Sequence, residues 1–189
     1  MGQDSLSRID FSDNRYTVKQ RLIRNKYQVT DSQDRPVVRA KQKLFKMKEE
    51  FPFTDPEGNV VFRIKAGHVL DIAGDYALID EETGETIANL NKKFTLLKHV
   101  WYVEDPDTGE RWATIESRST ALELLRALSD ILSFIPHRYD ITGPNGEDLG
   151  SIDGRFRLKD TYDIEISDDA SHREAIVAVA IAIDALEGN

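Results

Sequence analysis

The 189-residue sequence contains no cysteine. A chain without thiols forms no disulfide, offers no thiolate to a metal ion and provides no cysteine nucleophile. It also lacks the roughly 18 to 20 consecutive apolar residues that a membrane-spanning helix requires, and its first residues contain no apolar signal-peptide core. These absences exclude thiol-dependent enzymes and favour a cytoplasmic protein without a transmembrane segment.

The motifs of common enzyme classes are missing as well. The sequence contains no GxSxG, GxxxxGK[ST], GxGxxG or HExxH pattern. Its four histidines lie in separate predicted elements without metal-ligand spacing; His99 fits a strand position beside Trp101, and His172 fits an early helix position. His68 and His137 are the other two. We therefore predict no catalytic residue, no metal site and no cofactor, with a hydrolase of unrecognised site as an alternative.

Basic residues are outnumbered by acidic ones: the sequence has 25 Lys and Arg and 34 Asp and Glu, which gives a net charge of -9. This balance argues against nucleic-acid binding, since phosphates are repelled by an acidic surface. Asp outnumbers Glu and Arg outnumbers Lys, which fits a halophilic protein adapted to a salty cytoplasm. Residues 1–50 nevertheless carry 12 basic and 7 acidic residues. That asymmetry indicates either an anion-facing surface or two halves that neutralise each other on one barrel.

Turn signals divide the middle of the sequence into short segments. Clusters of glycine with proline or acidic residues occur at 55–59, 82–85, 105–110 and 143–147, as expected of hairpin loops. Gly58, Gly84 and Gly109 follow one another at 26 and 25 residues, which indicates a repeated hairpin. Asp105, Asp107 and Glu110 also offer oxygen ligands for calcium, but an acidic residue before glycine is what a turn itself requires.

Two segments have helical patterns. Thr120 and Glu123 form a capping box before leucines at helical spacing, and Pro136 follows, so we predict a helix over 120–135 on the outside of the sheet. The run 175–183 (AIVAVAIAI) is apolar on every side, which predicts a helix over about 171–186 that is buried all round. Its length of roughly 22 Å is too short to cross a bilayer but matches a small β-barrel.

Several segments together resemble a known family. They are 41–45 (KQKLF), 51–65 (FPFTDPEGNVVFRIK), 76–80 (YALID) leading to Gly84, 87–93 (IANLNKK) and 101–115. This order of strand, acidic turn with glycine and strand resembles the LURP-one-related (LOR) family. That family is grouped with tubby C-terminal domains and phospholipid scramblases. The resemblance implies an all-β fold with two helices: a closed antiparallel tubby-like β-barrel around a central hydrophobic C-terminal helix. We expect one domain over 16–189 after a flexible N-terminal segment, 1–15.

One candidate site emerges from the residues. Arg39, Lys41 and Lys43 occupy alternate positions, so an extended strand places all three on one face. The resemblance adds that some tubby-like domains bind phosphoinositide headgroups through basic side chains; a solvated strand face is the alternative. We predict a non-catalytic binding or scaffold domain whose partner is anionic lipid or a protein. A scramblase-like membrane-associated protein is the second possibility.

Overall fold

The computed structural model describes residues 6, 8–21, 26–41, 50–67, 75–94, 98–118, 138–155 and 161–187. At 20, 21, 26, 41, 94, 184, 185 and 187 it describes the backbone only. In this part of the chain twelve β-strands form one closed antiparallel barrel, in which each strand pairs with its sequence neighbours and β1 pairs with β12. The predicted antiparallel barrel is therefore confirmed.

The strands are short and follow one another in chain order. They are β1 Arg15–Arg21, β2 Lys26–Thr30, β3 Pro36–Lys41, β4 Glu50–Thr54, β5 Val60–Ala66, β6 Tyr76–Asp80, β7 Thr86–Phe94, β8 His99–Glu104, β9 Arg111–Ser117, β10 Arg138–Thr142, β11 Asp148–Gly154 and β12 Thr161–Ile166. One helix, α1, spans Arg173–Glu187. The predicted helix over 120–135 lies outside the described residues.

The four predicted hairpin turns connect β4 to β5, β6 to β7, β8 to β9, and β10 to β11. The β8–β9 turn illustrates their chemistry. Gly109 adopts φ 73°, which glycine tolerates without steric cost, and its N–H donates to the carbonyl of Asp105. The Asp105 carboxylate accepts hydrogen bonds from the N–H groups of Asp107 and Thr108, at 2.9 and 2.7 Å. This carboxylate thus serves the turn itself.

Helix α1 runs through the barrel interior. Residues 175–183 are at most 1% exposed, and the helix contacts β12 on one side and β6 and β7 on another. The Tyr162 hydroxyl donates to the carbonyl of Ile181 at 3.0 Å. The prediction of a helix apolar on all sides is confirmed, and its bounds, Arg173–Glu187, lie within two residues of the predicted 171–186. Among the described residues, no helix is long and apolar enough to cross a membrane.

Residues 8–14 cover the end of the barrel where α1 begins. Phe11 is fully buried and packs edge to face against Tyr16 and Phe62. The Arg173 guanidinium donates to the carbonyls of Phe11 and Ser167, at 3.1 and 2.7 Å. The first residue of α1 therefore ties the N-terminal segment to the barrel. We call this end, which also carries the hairpin turns, the turn end.

Candidate functional site

The predicted site residues begin on β3. Arg39 is exposed on the outer face, and its Nη1 donates to the carbonyl of Pro56 at 2.8 Å. Lys41 is the last residue of β3 and shares that face by strand alternation, whereas Lys43 lies outside the described residues. The structure therefore brings Arg39 and Lys41 onto one face.

The pairing of β1, β2 and β3 adds cations that the sequence pattern missed. Arg21 lies directly opposite Lys26, and Lys26 lies directly opposite Lys41. One row nearer the turn end, Lys19 lies opposite Gln28, which lies opposite Arg39. We call the outer positions of Lys19, Arg21, Lys26, Arg39 and Lys41 the basic face. Alternating cations in 15–21 were visible in the sequence, but their neighbours were not.

The basic face lacks the carboxylates found elsewhere on the barrel. Strands β1, β2 and β3 contain no Asp or Glu. Many described basic side chains elsewhere form ion pairs, namely Arg8, Arg15, Arg35, Arg63, Lys65, Lys98, Arg111, Arg118, Arg138 and Arg155. Lys19 and Arg39 are exposed, and within the described ranges neither forms an ion pair. Their charge is therefore available to an anionic partner.

Asp163 shows the contrasting arrangement on β12. Arg155 donates to both its carboxylate oxygens at 2.7 Å, and Thr17 Oγ1 donates to Oδ1 at 2.7 Å. Burial disfavours the charged carboxylate, but the hydrogen bonds from Arg155 and Thr17 outweigh it, so the pKa of Asp163 lies below its usual 3.8. This cluster is internally neutralised, which makes it a stabilising element and not a ligand site.

The lowered pKa of Asp163 predicts an acid-dependent contribution to stability. Because the folded-state pKa lies below the unfolded one, the contribution is present above the unfolded pKa and is lost as the pH falls through the folded pKa. We expect Asp163→Asn to lower the free energy of unfolding by about 1–3 kcal/mol at neutral pH and to flatten its decline in acid. Urea unfolding at a series of pH values measures both. Thr17→Val, which removes the hydroxyl that donates to Asp163 and accepts from Arg155, should be intermediate. An unchanged acid decline in Asp163→Asn would contradict the assignment.

A polar cleft of about 290 Å³ lies at the turn end, between the β8–β9 turn, the β10–β11 turn and the segment before α1. The rings of Trp112 and His172 stack at 3.8 Å, with their planes 3° apart. His172 has φ 54° and directly precedes α1, so it is not the early-helix residue expected from the sequence. Glu110, Glu147 and Asp169 also line the cleft. Their charge disfavours an anionic ligand here.

The remaining candidate ligands are dispersed. His99 is the first residue of β8, as predicted, while His68 and His137 fall outside the described residues. In the ranges that the structure describes, no group of three or more His, Asp or Glu side chains is placed to hold a metal ion. The basic face is therefore the described surface with the clearest potential for binding.

Comparisons with known proteins agree with this architecture. The sequence model of the LURP-one-related family matches residues 38–184. No curated protein sequence matches the chain. Among solved structures, the X-ray structure of a protein from Arabidopsis thaliana is similar, with a TM-score of 0.57 and 8% sequence identity over 97% of this chain and 99% of that chain. At so low an identity the likeness shows the fold alone.

Proposed function

Since the chain belongs to the LURP-one-related family, we propose that it is a non-catalytic binding domain that binds phosphate-bearing headgroups of anionic lipids on the basic face. The observation that carries this proposal is the lack of carboxylates on β1–β3, where Lys19 and Arg39 are exposed without ion pairs. The resemblance to tubby-like domains, some of which bind phosphoinositide headgroups through basic side chains, points to the same class of ligand.

Distances within the basic face allow its charges to act together. Neighbouring strands lie about 4.8 Å apart and alternate residues about 7 Å apart, so the face measures roughly 10 by 7 Å. The Debye length is about 8–10 Å at physiological ionic strength, so the five cations reinforce one another while distant carboxylates are screened. A protein with net charge -9 can therefore still attract an anion locally.

A single exposed ion pair binds an anion only weakly, so the site must use several cations. One surface ion pair contributes about 0–1 kcal/mol, and salt reduces it further. Arginine adds specificity, because its planar guanidinium donates two parallel hydrogen bonds to a phosphate. We therefore expect binding to depend on several cations at once, with Arg39, Lys41 and Lys43 as the residues predicted to contact the ligand, and to fall as salt rises.

Charge reversal on β3 tests the proposal. We expect the wild type to co-sediment with phosphatidylcholine vesicles that contain phosphatidylinositol phosphate, and not with phosphatidylcholine alone. The variant Arg39→Glu, Lys41→Glu, Lys43→Glu should lose most of this binding at about 0.1 M salt, because each substitution replaces an attractive charge with a repulsive one. Raising the salt to about 1 M should release the wild type as well.

A second triple variant separates local charge from net charge. Arg8→Glu, Lys93→Glu, Arg138→Glu carries the same net charge but changes exposed residues away from the basic face. It should bind vesicles much more tightly than the β3 variant does. Equal loss in both variants would show that only net charge matters, and absence of wild-type binding to anionic vesicles at any salt would remove the proposed function.

A further inference from the structure

The polar cleft at the turn end contains two carboxylates that are not engaged. Glu110, Glu147 and Asp169 line the cleft. The Glu147 carboxylate accepts a hydrogen bond from the N–H of Asn145 at 2.9 Å, so it stabilises its own turn. Glu110 and Asp169 are exposed, and within the described ranges neither carboxylate accepts a hydrogen bond or forms an ion pair. Both negative charges are therefore available to a ligand.

The arginines nearest to these carboxylates are directed elsewhere. Arg111 lines the cleft, but its guanidinium carbon lies 3.5 Å from the centroid of the Tyr102 ring, and its Nη2 lies 3.5 Å from Glu104 Oε1. The Arg173 guanidinium donates to the carbonyl of Ser167 at 2.7 Å and to the N-terminal segment. The cleft therefore keeps a negative charge, which favours a cationic ligand.

Trp112 forms a wall of the cleft and provides a hydrogen-bond donor. It is 6% exposed, and its ring stacks on His172 with the centroids 3.8 Å apart. In the part of the chain that the structure describes, the indole N–H donates to no acceptor, and Nε1 is not one of the fully buried atoms without a partner. Because Trp112 lines the cleft, its N–H is accessible from there. A buried tryptophan usually has an acceptor for this group, so an unused N–H indicates a ligand.

We propose that the polar cleft binds an arginine or lysine side chain in a peptide segment of a partner protein. The cation lies between the carboxylates of Glu110 and Asp169, and the planar guanidinium of arginine can donate two hydrogen bonds to one carboxylate. The methylene stem packs against Trp112 and Leu149. A backbone carbonyl next to the side chain accepts the indole N–H. A volume of about 290 Å³ is near the lower end for ligand pockets, which suits one side chain and its peptide group.

Other classes of ligand fit the cleft less well. An anion is repelled by the two carboxylates. Among the described residues, no group of three or more His, Asp or Glu is placed to hold a metal ion. A neutral ligand would satisfy the indole N–H but leave both charges unmatched. The site is also separate from the proposed function, because the basic face lies on β1–β3 and has the opposite charge.

The indole signals of a ¹⁵N-labelled full chain test this proposal directly. The sequence has two tryptophans, and Trp101 is 1% exposed inside the barrel. Titration with N-acetyl-arginine amide should move the Trp112 indole signal and leave the Trp101 signal in place, with a dissociation constant on the order of 1–10 mM. Trp112→Phe assigns the signal. N-acetyl-glutamine amide, which has the same carbonyls and no charge, should bind at least about tenfold more weakly.

Two double variants separate the cleft from the net charge. Glu110→Gln, Asp169→Asn removes both charges with little change in size, and should weaken binding of N-acetyl-arginine amide at least about tenfold. Glu57→Gln, Glu85→Gln changes the net charge equally and should bind as the wild type does. Glu85 is the matched position, since Glu85 and Glu110 each follow a turn glycine and donate their N–H to a threonine Oγ1.

The contrary results have distinct meanings. A Trp112 signal that stays in place up to about tenfold above the expected dissociation constant would overturn the proposal. Equal binding of the glutamine amide would show that the cleft does not recognise charge, and equal losses in the two double variants would show that only net charge matters. If propylguanidinium, which lacks the carbonyls, binds as tightly as N-acetyl-arginine amide, the site takes small cations and not a peptide. Vesicle binding by Glu110→Gln, Asp169→Asn should equal that of the wild type, so this site and the basic face can fail separately.

Discussion

Replacing Ile181 by aspartate should leave the protein unfolded or insoluble. Ile181 is 1% exposed in the middle of α1, inside the barrel, where no water reaches a carboxylate. Burying an unpaired charged group costs several kcal/mol even after its pKa adjusts, which is comparable with the whole stability of a domain. Val179, fully buried in the same helix, should give the same result when replaced by aspartate. Circular dichroism and thermal unfolding test both.

Ile181→Val is the matched control for this first prediction. It removes one methyl group from the same position without adding charge, and should lower the free energy of unfolding by about 0.5–1.5 kcal/mol. The fold and its cooperative transition should be retained. A folded Ile181→Asp variant with an unchanged melting temperature would show that α1 does not form the core of the barrel.

Replacing Gly150 by alanine should have the second largest effect. Gly150 lies in β11 with φ 144°, a backbone conformation that residues with a side chain rarely adopt. A Cβ added there would lie 2.0 Å from the carbonyl oxygen of Glu165. The neighbouring strand β12 must then move, although its pairing holds the barrel closed between β11 and β1. We expect a loss of about 3–5 kcal/mol in the free energy of unfolding.

Gly58→Ala separates backbone strain from the steric clash. Gly58 adopts φ 98° in the β4–β5 turn, and an added Cβ there meets no atom within 4 Å. This variant should lose only about 1–3 kcal/mol, the cost of an unfavourable backbone conformation. Urea unfolding of the two variants gives the comparison, and equal losses would mean that the contact with Glu165 contributes nothing.

The sequence by itself determined those elements whose conformation depends on residues adjacent in the chain. Glycine and acidic residues specify the hairpin turns through the backbone conformations and hydrogen bonds of a few adjacent residues, as at Asp105 and Gly109. The apolar run 175–183 requires burial on all sides whatever surrounds it, so its interior position followed from composition alone. Strand alternation likewise sufficed to place Arg39 and Lys41 on one face.

Other features depend on which strands become neighbours, and only the tertiary structure decided them. Lys26 lies between Arg21 and Lys41 because of the register of two hairpins, and a shift of one residue would have sent these positions to the opposite face. Thr17 and Asp163 meet only because β1 closes the barrel against β12, across 146 residues of sequence. Contacts between distant segments arise from closure of the whole sheet, and no local pattern in either segment encodes its partner. The cations of one strand could therefore be predicted from the sequence, whereas the surface that they form with neighbouring strands depends on how the strands pair in the barrel.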